Sequence, residues 1–526
     1  MRNILFLLVD DGGFELGPYG NNITKTHHIN RLAAEGTVFD RAYTAVSSCS
    51  PSRAAILTGL PTHQNGMYGL HQFPGNFQSN GDVTSVVNIL NDHGYKTGII
   101  GKHHVGPLPN YNFQFGTNAT YCWAGAMGDR FIDQMPSCHS DYNNVSRNLT
   151  NIKMNARTFF AIEPMKPFFL YVGFGDTHRC GFKSAIGSFC EFYGSGRPGQ
   201  GAIPDWSPTF FSTDEVVVPQ FLPDTHAVRA DIAAQYTAVN RMDQGVGVLL
   251  AELESAGEAG STLVFFFSDN GIPFPSGKTN FFEQGHGEPL IMRHPHQKHR
   301  GQRSAAVVSS LDFVPTMLAW AGLSYPHTAR AGRKAAILTG SSLLPLLDQP
   351  GPASGHAASN DSHAFGAQES NHVLPESWRD TAFGSHQFHS LYAYYPMRTM
   401  RDGRYRLIHN LAHHLQFAIL EDVETTDTWK MLQNGTTPTG NSSGWIYSLD
   451  GYLQRPEYQL FDMATDPMQL HNLASSTTHH KTLHAMQAAL YQWRAFTNDP
   501  WLACNPQLPQ TPPQPDWQLH SQKCSF

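Results

Sequence analysis

Near its start the chain reads Ile4-Leu5-Phe6-Leu7-Leu8-Val9-Asp10-Asp11, six apolar residues followed directly by two carboxylates. A short apolar run of this kind is typical of a buried strand. It resembles a signal peptide only superficially, because it is short and passes into Asp10-Asp11 without a small-residue cleavage site. We therefore interpret it as the first core strand, and we expect any secretory signal to be absent from this chain.

Similar apolar runs alternate with helical patterns through the first three-quarters of the chain, which predicts an α/β fold with a large, mostly parallel sheet flanked by helices. Two helices stand out, one from Arg229 to Glu254 with a buried apolar stripe, and one capped by Asp312. The predicted strands are Ile4–Val9, Thr97–Ile100, Phe168–Phe174, Leu263–Ser268 and Ala306–Ser309.

The last part of the chain has a different pattern. Met397–Arg401 and Tyr405–His409 flank the turn Asp402-Gly403, which predicts a β-hairpin, and Tyr458–Asp462 and Leu483–Phe496 predict a further strand and a covering helix. We expect a smaller antiparallel α+β domain here. The predicted division is a catalytic domain over 1–375, with insertions near 118–146 and 349–380, and a C-terminal domain over 376–526.

Composition excludes several classes of protein. No apolar run approaches the roughly 20 residues of a membrane span, and no basic stripe supports a nucleic-acid role. The formal charge is −7 with histidines neutral, but the chain carries 28 histidines. Because acidification would make it strongly positive, the composition suits an acidic compartment and an anionic substrate.

The cysteines and glycosylation sequons indicate an oxidising compartment. Six of the seven cysteines form close sequential couples, which leaves Cys49 as the odd thiol. The couples are Cys122 with Cys138, whose pairing stays open, and the predicted bridges Cys180–Cys190 and Cys504–Cys524. The sequons are at Asn22, Asn118, Asn144, Asn148, Asn360, Asn434 and Asn441.

Oxygen ligands follow two of the predicted strands. Asp10 and Asp11 end the first, and Asp269-Asn270 end another. The carboxyl ends of strands form the ligand crevice of open α/β sheets. Each motif alone is typical of a turn or helix cap, but carboxylates gathered at one crevice need a cation. With no histidine or thiolate in the set, Ca²⁺ or Mg²⁺ is favoured over zinc.

Cys49-Ser50-Pro51-Ser52-Arg53, followed by Leu57-Thr58-Gly59, carries the strongest motif. Pro51 suits the first turn of a helix, whose N-terminus favours an anion. The alternatives are that Cys49 is a structural thiol and that Arg53 is an exposed arginine on the surface of a helix. The motif resembles the maturation signature of the type I sulfatase family, in which the cysteine is oxidised to formylglycine, an aldehyde that hydrates to a diol. The resemblance implies an alkaline-phosphatase-like fold, with one Ca²⁺ that Cys49 also helps to bind.

Other polar side chains follow strands in the same way. Lys102 and His104 come after Thr97–Ile100, and Asp176 and His178 come after Phe168–Phe174. Lysine and histidine at such positions are also common as surface or core residues. The resemblance implies catalytic roles for Cys49, Arg53, Lys102, His104 and His178. It implies substrate contacts for Lys278, Asp176, His386 and His389.

Longer segments narrow the resemblance within the family. Among them are Cys49–Gly69, Ile203–Trp206, Ser268–Asn280 and Asp499–Trp501. They resemble the members that hydrolyse the N-linked sulfate of terminal N-sulfoglucosamine during heparan sulfate degradation. This implies a lysosomal, homodimeric enzyme that a formylglycine-generating enzyme matures. The chain departs from the family pattern at Gly175, Thr177, Lys278, Phe388 and Ser390.

Two alternatives to this function stay open. One is an O-sulfatase that acts on another sulfated sugar, and the other is an inactive glycan-binding protein whose Cys49 remains a thiol. A phosphatase of the same superfold is disfavoured, because its nucleophile position is expected to hold serine or threonine.

Overall fold

The computed structural model describes residues 2–72, 75–116, 142–180, 185–328, 335–349, 378–434 and 445–502. Its strands are β1 Asn3–Val9, β2 Thr37–Tyr43, β3 Lys96–Gly101, β4 Phe115–Gly116, β5 Phe168–Gly173, β6 Thr262–Ser268, β7 Leu290–Arg293, β8 Gln302–Ser309, β9 Thr381–Phe388, β10 Tyr394–Asp402, β11 Tyr405–Asn410 and β12 Tyr458–Asp462.

The helices pack against the sheets. In the described part of the chain they are α1 His27–Glu35, α2 Cys49–Thr58, α3 Thr62–Asn65, α4 Val86–Asp92, α5 Leu149–Ala161, α6 His226–Ser255, α7 Glu283–His286, α8 Phe313–Ala321, α9 Leu344–Leu347, α10 Glu421–Glu424, α11 Asp427–Asn434, α12 Leu449–Leu453 and α13 His480–Phe496.

The large sheet has eight strands in the order β4-β3-β5-β1-β6-β7-β2-β8. All of its pairings are parallel except those of β7, which runs antiparallel to both β6 and β2. The predicted α/β class and all five predicted strands are confirmed. β2 and β7 escaped prediction because β2 contains the polar pair Asp40-Arg41 and β7 is only four residues long.

Alternation along β1 shows how the sheet is buried on both faces. Ile4, Phe6 and Leu8 belong to one apolar cluster, and Leu5 and Leu7 belong to the cluster on the opposite face. Each burial stabilises the fold by roughly 1.5–3 kcal/mol. Because apolar contacts fix the strand on both sides, the carboxylates that follow it are held in place.

Two helix predictions had different outcomes. The long helix is confirmed as α6, which begins at His226 and ends at Ser255. The helix after Asp312 is confirmed as α8, but the cap role of Asp312 was wrong: its carboxylate makes no cap bond to α8. Instead it accepts a hydrogen bond from the Ser309 backbone N–H, in a capping box around the preceding turn.

The second sheet has four antiparallel strands in the order β12-β11-β10-β9. The predicted hairpin is β10 and β11, with Arg401 opposite Arg406, and the predicted strand β12 and helix α13 are also present. This confirms a smaller antiparallel sheet. The division at 375/376 lies among residues outside the described part of the chain, as does most of both predicted insertions, and it stays a prediction.

Two further predictions concern disulfide bridges and membrane-spanning segments. The bridge Cys180–Cys190 is confirmed, with 5.4 Å between the Cα atoms. Cys122, Cys138, Cys504 and Cys524 lie outside the described residues. None of the helices that the structure describes combines the length and apolar character needed to cross a bilayer.

A buried ion cluster ties α13 to the small sheet. Asp499 accepts hydrogen bonds from Arg398 at 2.7 and 2.8 Å and from Arg494 at 2.8 Å. Burial opposes ionisation of this carboxyl, but the Arg398 guanidinium outweighs burial, so the pKa of Asp499 lies below its ordinary value. The carboxyl is therefore charged at any ordinary pH.

We expect Asp499→Asn to destabilise the protein by about 3–5 kcal/mol, because two buried guanidinium groups lose their counter-charge. Thermal unfolding of the variant against wild type measures the loss. Since the pKa is depressed, the contribution is present above pH ~4 and is lost only as the pH falls further. An unchanged melting temperature would contradict this assignment.

Candidate active site

Four parallel strands bring the predicted ligands to one edge of the sheet. Strands β1, β3, β5 and β6 are neighbours that run in the same direction, so their carboxyl ends coincide. Hydrogen bonds from backbone N–H groups hold the loops that follow these strands in place. Asp269 N–H donates to Val9 O at 3.1 Å, and Asp11 N–H donates to Asp269 Oδ1 at 3.1 Å.

Cys49 enters this edge as the first residue of α2. Its Sγ lies 3.8 Å from Asp10 Oδ1 and 3.8 Å from Asp11 Oδ1. Gly59, with φ of 69°, ends the helix in the left-handed conformation that glycine adopts freely. Burial raises the pKa of the Cys49 thiol, so the unmodified side chain is a poor nucleophile.

The oxygens around Cys49 fit a divalent cation. Single ligand atoms of Asp10, Cys49 and Asp269 lie within 4.8 Å of one another, as do those of Asp11, Cys49 and His178. Asn270 Oδ1 is buried without a hydrogen-bond partner, as expected for an oxygen that serves a metal. Buried carboxylate and amide oxygens are the donors that Ca²⁺ and Mg²⁺ prefer.

Two cations already face these carboxylates. Arg53 donates from Nε to Asp269 Oδ2 at 2.8 Å, and Lys102 Nζ lies 2.7 and 2.6 Å from the oxygens of Asp10. Arg53 is fully buried, so it is not an exposed helix arginine. Burial works against ionisation of Asp10, but Lys102 and then other cations outweigh it and lower its pKa.

Lys102 and His104 reach the site by different backbone conformations. The extended chain ends at Gly101, whose φ is 83°, and a Cβ there would lie 2.1 Å from Gly173 O on β5. His104 has φ of 57°, so the extended backbone does not continue from β3 through His104. Burial, and then Lys102, hold the pKa of His104 well below its ordinary value. The imidazole is therefore neutral, and its Nε2 contacts Gln72 Oε1.

His178 and Lys278 occupy a second side of the pocket. Lys278 Nζ donates to Asp11 Oδ2 at 2.9 Å and is buried, so it is not a solvated loop lysine. His178 Nδ1 lies 2.6 Å from Arg179 O, which leaves Nε2 directed at the site, 3.8 Å from Asp11 Oδ2. Burial, and then Lys278, lower the pKa of His178. A bound anion would raise it again.

Asp176 does not present its carboxylate to the pocket. Arg241 donates two hydrogen bonds to it, both at 2.8 Å, and Arg147 donates a third at 2.9 Å. The carboxylate is therefore held in a buried ion cluster, and its predicted substrate contact stays a prediction. The backbone around Asp176 instead positions the ligands: Asp10 N–H donates to Asp176 O at 3.0 Å, and Thr177 Oγ1 donates to Asp11 O at 2.9 Å.

The two predicted histidines of the C-terminal part, His386 and His389, lie in different surroundings. His389 lies beside the N-terminus of α2, because its Nδ1 is 2.8 Å from Oγ of Ser48, the residue before Cys49. Burial, and then Lys278, lower the pKa of His389. His386 instead packs its ring near Phe281, with 6.3 Å between ring centroids, and burial lowers its pKa to about 3. The structure therefore places His389 beside Ser48, the residue before Cys49, and His386 beside Phe281.

Two site residues were not predicted from the sequence. Tyr142 donates from its hydroxyl to Asp10 Oδ2 at 3.2 Å. Asp422 Oδ2 accepts from Lys278 Nζ at 3.0 Å and lies 3.6 Å from His178 Nε2. Neither belongs to a motif, and Asp422 reaches the site from α10 in the C-terminal part of the chain. Only tertiary structure reveals these contacts.

Comparison with known proteins agrees with this arrangement. A model of the sulfatase family matches residues 2–323. The chain belongs to the sulfatase family. It is 43% identical over 507 residues to human N-sulphoglucosamine sulphohydrolase, which covers 96% of this chain and 92% of the relative. It is 29% identical over 390 residues to human N-acetylgalactosamine-6-sulfatase, covering 66% of each.

Solved structures support the fold of this sulfatase. One, a complex with its substrate D-glucosamine-2-N,6-O-disulfate, has a TM-score of 0.62 at 18% identity and covers 95% of this chain and 98% of that one. The phosphonate monoester hydrolase of Agrobacterium radiobacter has a TM-score of 0.58 at 18% identity, covering 96% and 97%. Because enzymes of different chemistry share the fold, the reaction must be argued from the site.

Proposed function

We propose that this sulfatase hydrolyses the N-linked sulfate of terminal N-sulfoglucosamine in heparan sulfate. The observation that carries the proposal is the position of Cys49, with Sγ 3.8 Å from carboxylate oxygens of both Asp10 and Asp11. The human relative named N-sulphoglucosamine sulphohydrolase, 43% identical over nearly the whole chain, supports the substrate class.

The proposed cofactors are one Ca²⁺ and a formylglycine derived from Cys49. Asp10, Asp11, Asp269 and Asn270 would hold the ion, with position 49 as a further ligand. The formylglycine hydrate supplies a hydroxyl nucleophile, and the ion lowers the pKa of that hydroxyl. Buried carboxylates on two loops, with an unpartnered Asn270 Oδ1, support an oxygen-bound divalent ion over zinc.

The other site residues would stabilise negative charge or transfer protons. Arg53, Lys102 and Lys278 would offset negative charge on the sulfuryl oxygens, since all three are buried beside Cys49 and its carboxylates. His178 would donate a proton to the departing nitrogen from Nε2. His104, held neutral by burial, would accept the proton released when sulfate is expelled.

We also propose a secretory or lysosomal location, with maturation by a formylglycine-generating enzyme and assembly as a homodimer. The Cys180–Cys190 bridge supports an oxidising compartment. Asn22, Asn144 and Asn434 are exposed and are proposed to carry glycans. Asn148 caps α5 by accepting a bond from the Asn151 N–H, which makes it a less favourable acceptor. Asn118, Asn360 and Asn441 lie outside the described residues.

Release of inorganic sulfate tests the proposed function. The matured enzyme is expected to release sulfate from N-sulfoglucosamine at the non-reducing end of a heparan disaccharide, and to leave 6-O-sulfoglucosamine intact. Release from the 6-O-sulfated sugar alone would instead establish the O-sulfatase alternative. Binding of the oligosaccharide with no release from either sugar would establish a glycan-binding protein.

A further inference from the structure

Asp422 supplies a carboxylate to the site that metal binding does not require. It lies in α10, and its Oδ2 is 3.0 Å from Lys278 Nζ and 3.6 Å from His178 Nε2. Its side chain is 27% exposed, whereas those of Asp11 and Lys278 are fully buried. Asp422 therefore lies toward the open side of the pocket, next to the proposed proton donor.

The charge of Asp422 is unfavourable for binding a sulfated sugar. Burial opposes its ionisation, but Lys278 and then His178 outweigh burial and keep the pKa of Asp422 below its ordinary value. A carboxylate on the open side repels an incoming sulfate. Such a group lowers a reaction barrier only if positive charge develops near it as the reaction proceeds.

We propose that Asp422 makes the sulfatase selective for a nitrogen leaving group. The inference rests on the proposed N-sulfate hydrolysis. The nitrogen takes a proton from His178 Nε2 before the S–N bond has fully broken, so it carries positive charge in the transition state. The electron pair of the S–N bond then stays on nitrogen, and sulfur bonds to the deprotonated nucleophile oxygen at position 49. The resulting amine takes a second proton from water and becomes an ammonium ion, which Asp422 binds.

An O-sulfate gains nothing from the same carboxylate. The bridging oxygen of a sugar sulfate is far less basic than the nitrogen, so it takes its proton only as the S–O bond breaks and leaves as a neutral hydroxyl without first becoming positive. The repulsion that Asp422 exerts on the bound sulfate then remains without any later compensation. The carboxylate therefore favours amine over alcohol leaving groups through the positive charge on the departing nitrogen, independently of the shape of the sugar pocket.

Steady-state kinetics of Asp422→Asn test the proposal on two substrates. We expect kcat/KM for N-sulfoglucosamine to fall about 10- to 100-fold, the range for loss of a charge-assisted hydrogen bond. Turnover of 4-nitrophenyl sulfate, whose leaving group needs no proton, is expected to change much less. Glu424→Gln, an exposed glutamate of the same helix, is the matched control. An equal fall on both substrates would mean that Asp422 only positions Lys278, and would overturn the proposal, as would no fall on either.

Product binding provides a readout that does not depend on catalysis. Calorimetry is expected to show that Asp422→Asn weakens glucosamine, which carries an ammonium group, about 10-fold. Binding of the neutral analogue N-acetylglucosamine is expected to stay the same. Equal weakening of both sugars would overturn the proposal. If wild-type enzyme released no sulfate from N-sulfoglucosamine, the proposed function would fail, but this comparison would still decide whether Asp422 recognises an amine.

Discussion

Alanine at position 49 is expected to abolish turnover, with kcat for sulfate release reduced by about 10⁴-fold or more. Position 49 would supply the nucleophile, and the described residues around it offer no substitute: the neighbouring carboxylates are engaged by Arg53, Lys102 and Lys278. The measurement is release of inorganic sulfate from N-sulfoglucosamine by variant and wild-type protein expressed in the same host.

Cys49→Ser separates the roles of the two diol hydroxyls. Serine keeps one oxygen but cannot form an aldehyde hydrate, so a sulfated serine would have no second hydroxyl to expel sulfate. We expect at most a single turnover, with sulfate retained on the protein. Thermal unfolding of both variants controls for folding. Multiple turnovers by either variant, at more than a few per cent of the wild-type rate, would contradict the assigned nucleophile.

Removal of the divalent ion is expected to produce the second largest effect. Asp10, Asp11 and Asp269 are fully buried around one small volume, and without an ion their mutual repulsion is only partly offset. We expect chelation to reduce kcat by about 10³-fold, because several kcal/mol of charge stabilisation are lost. It should also cost about 2.7 kcal/mol of stability relative to protein held at 100 times the dissociation constant.

Thermal unfolding with chelator, Ca²⁺ or Mg²⁺ measures this effect and identifies the ion. Ca²⁺ is expected to restore both activity and melting temperature, and Mg²⁺ to restore them less well. Asp269→Asn should lose the response to Ca²⁺, whereas the exposed control Glu424→Gln should keep it. A wild-type melting temperature that is insensitive to chelator and to Ca²⁺ would show that these oxygens hold no ion.

The sequence predicted the parallel part of the fold well because its strands are short, continuously apolar and buried on both faces. β1 and β6 are examples, since every residue of each is buried. The strand prediction failed where burial is uneven, as in β2. The cap prediction failed where a side chain had more than one possible hydrogen-bond partner. Asp312 is such a case: its position suits a cap for α8, but its carboxylate bonds to the preceding turn.

The candidate site was predictable to the extent that it follows strand ends. Asp10, Asp269, Lys102 and His178 are each placed by a parallel strand, and parallel strands share an edge. Side-chain partners are not encoded in this way. Asp176 follows β5 just as His178 does, yet Arg241 and Arg147 hold its carboxylate away from the pocket.

Residues from the C-terminal part reach the site only through contacts that are distant in sequence. Asp422 approaches Lys278 across 144 positions of sequence, from a helix of four residues without a motif. His386 and His389 lie three residues apart, but only His389 contacts the loop before Cys49, through Ser48. Distant contacts of this kind depend on how the small sheet packs against the large one, which local patterns do not determine.

The mass of the peptide that contains Cys49 tests the central claim most directly. The protein should be made in a host that converts sulfatase cysteines, digested, and analysed without reduction of aldehydes. The account predicts a mass in which the thiol of Cys49 has been replaced by an aldehyde or its hydrate. A peptide that retains an intact thiol in fully active protein would contradict it.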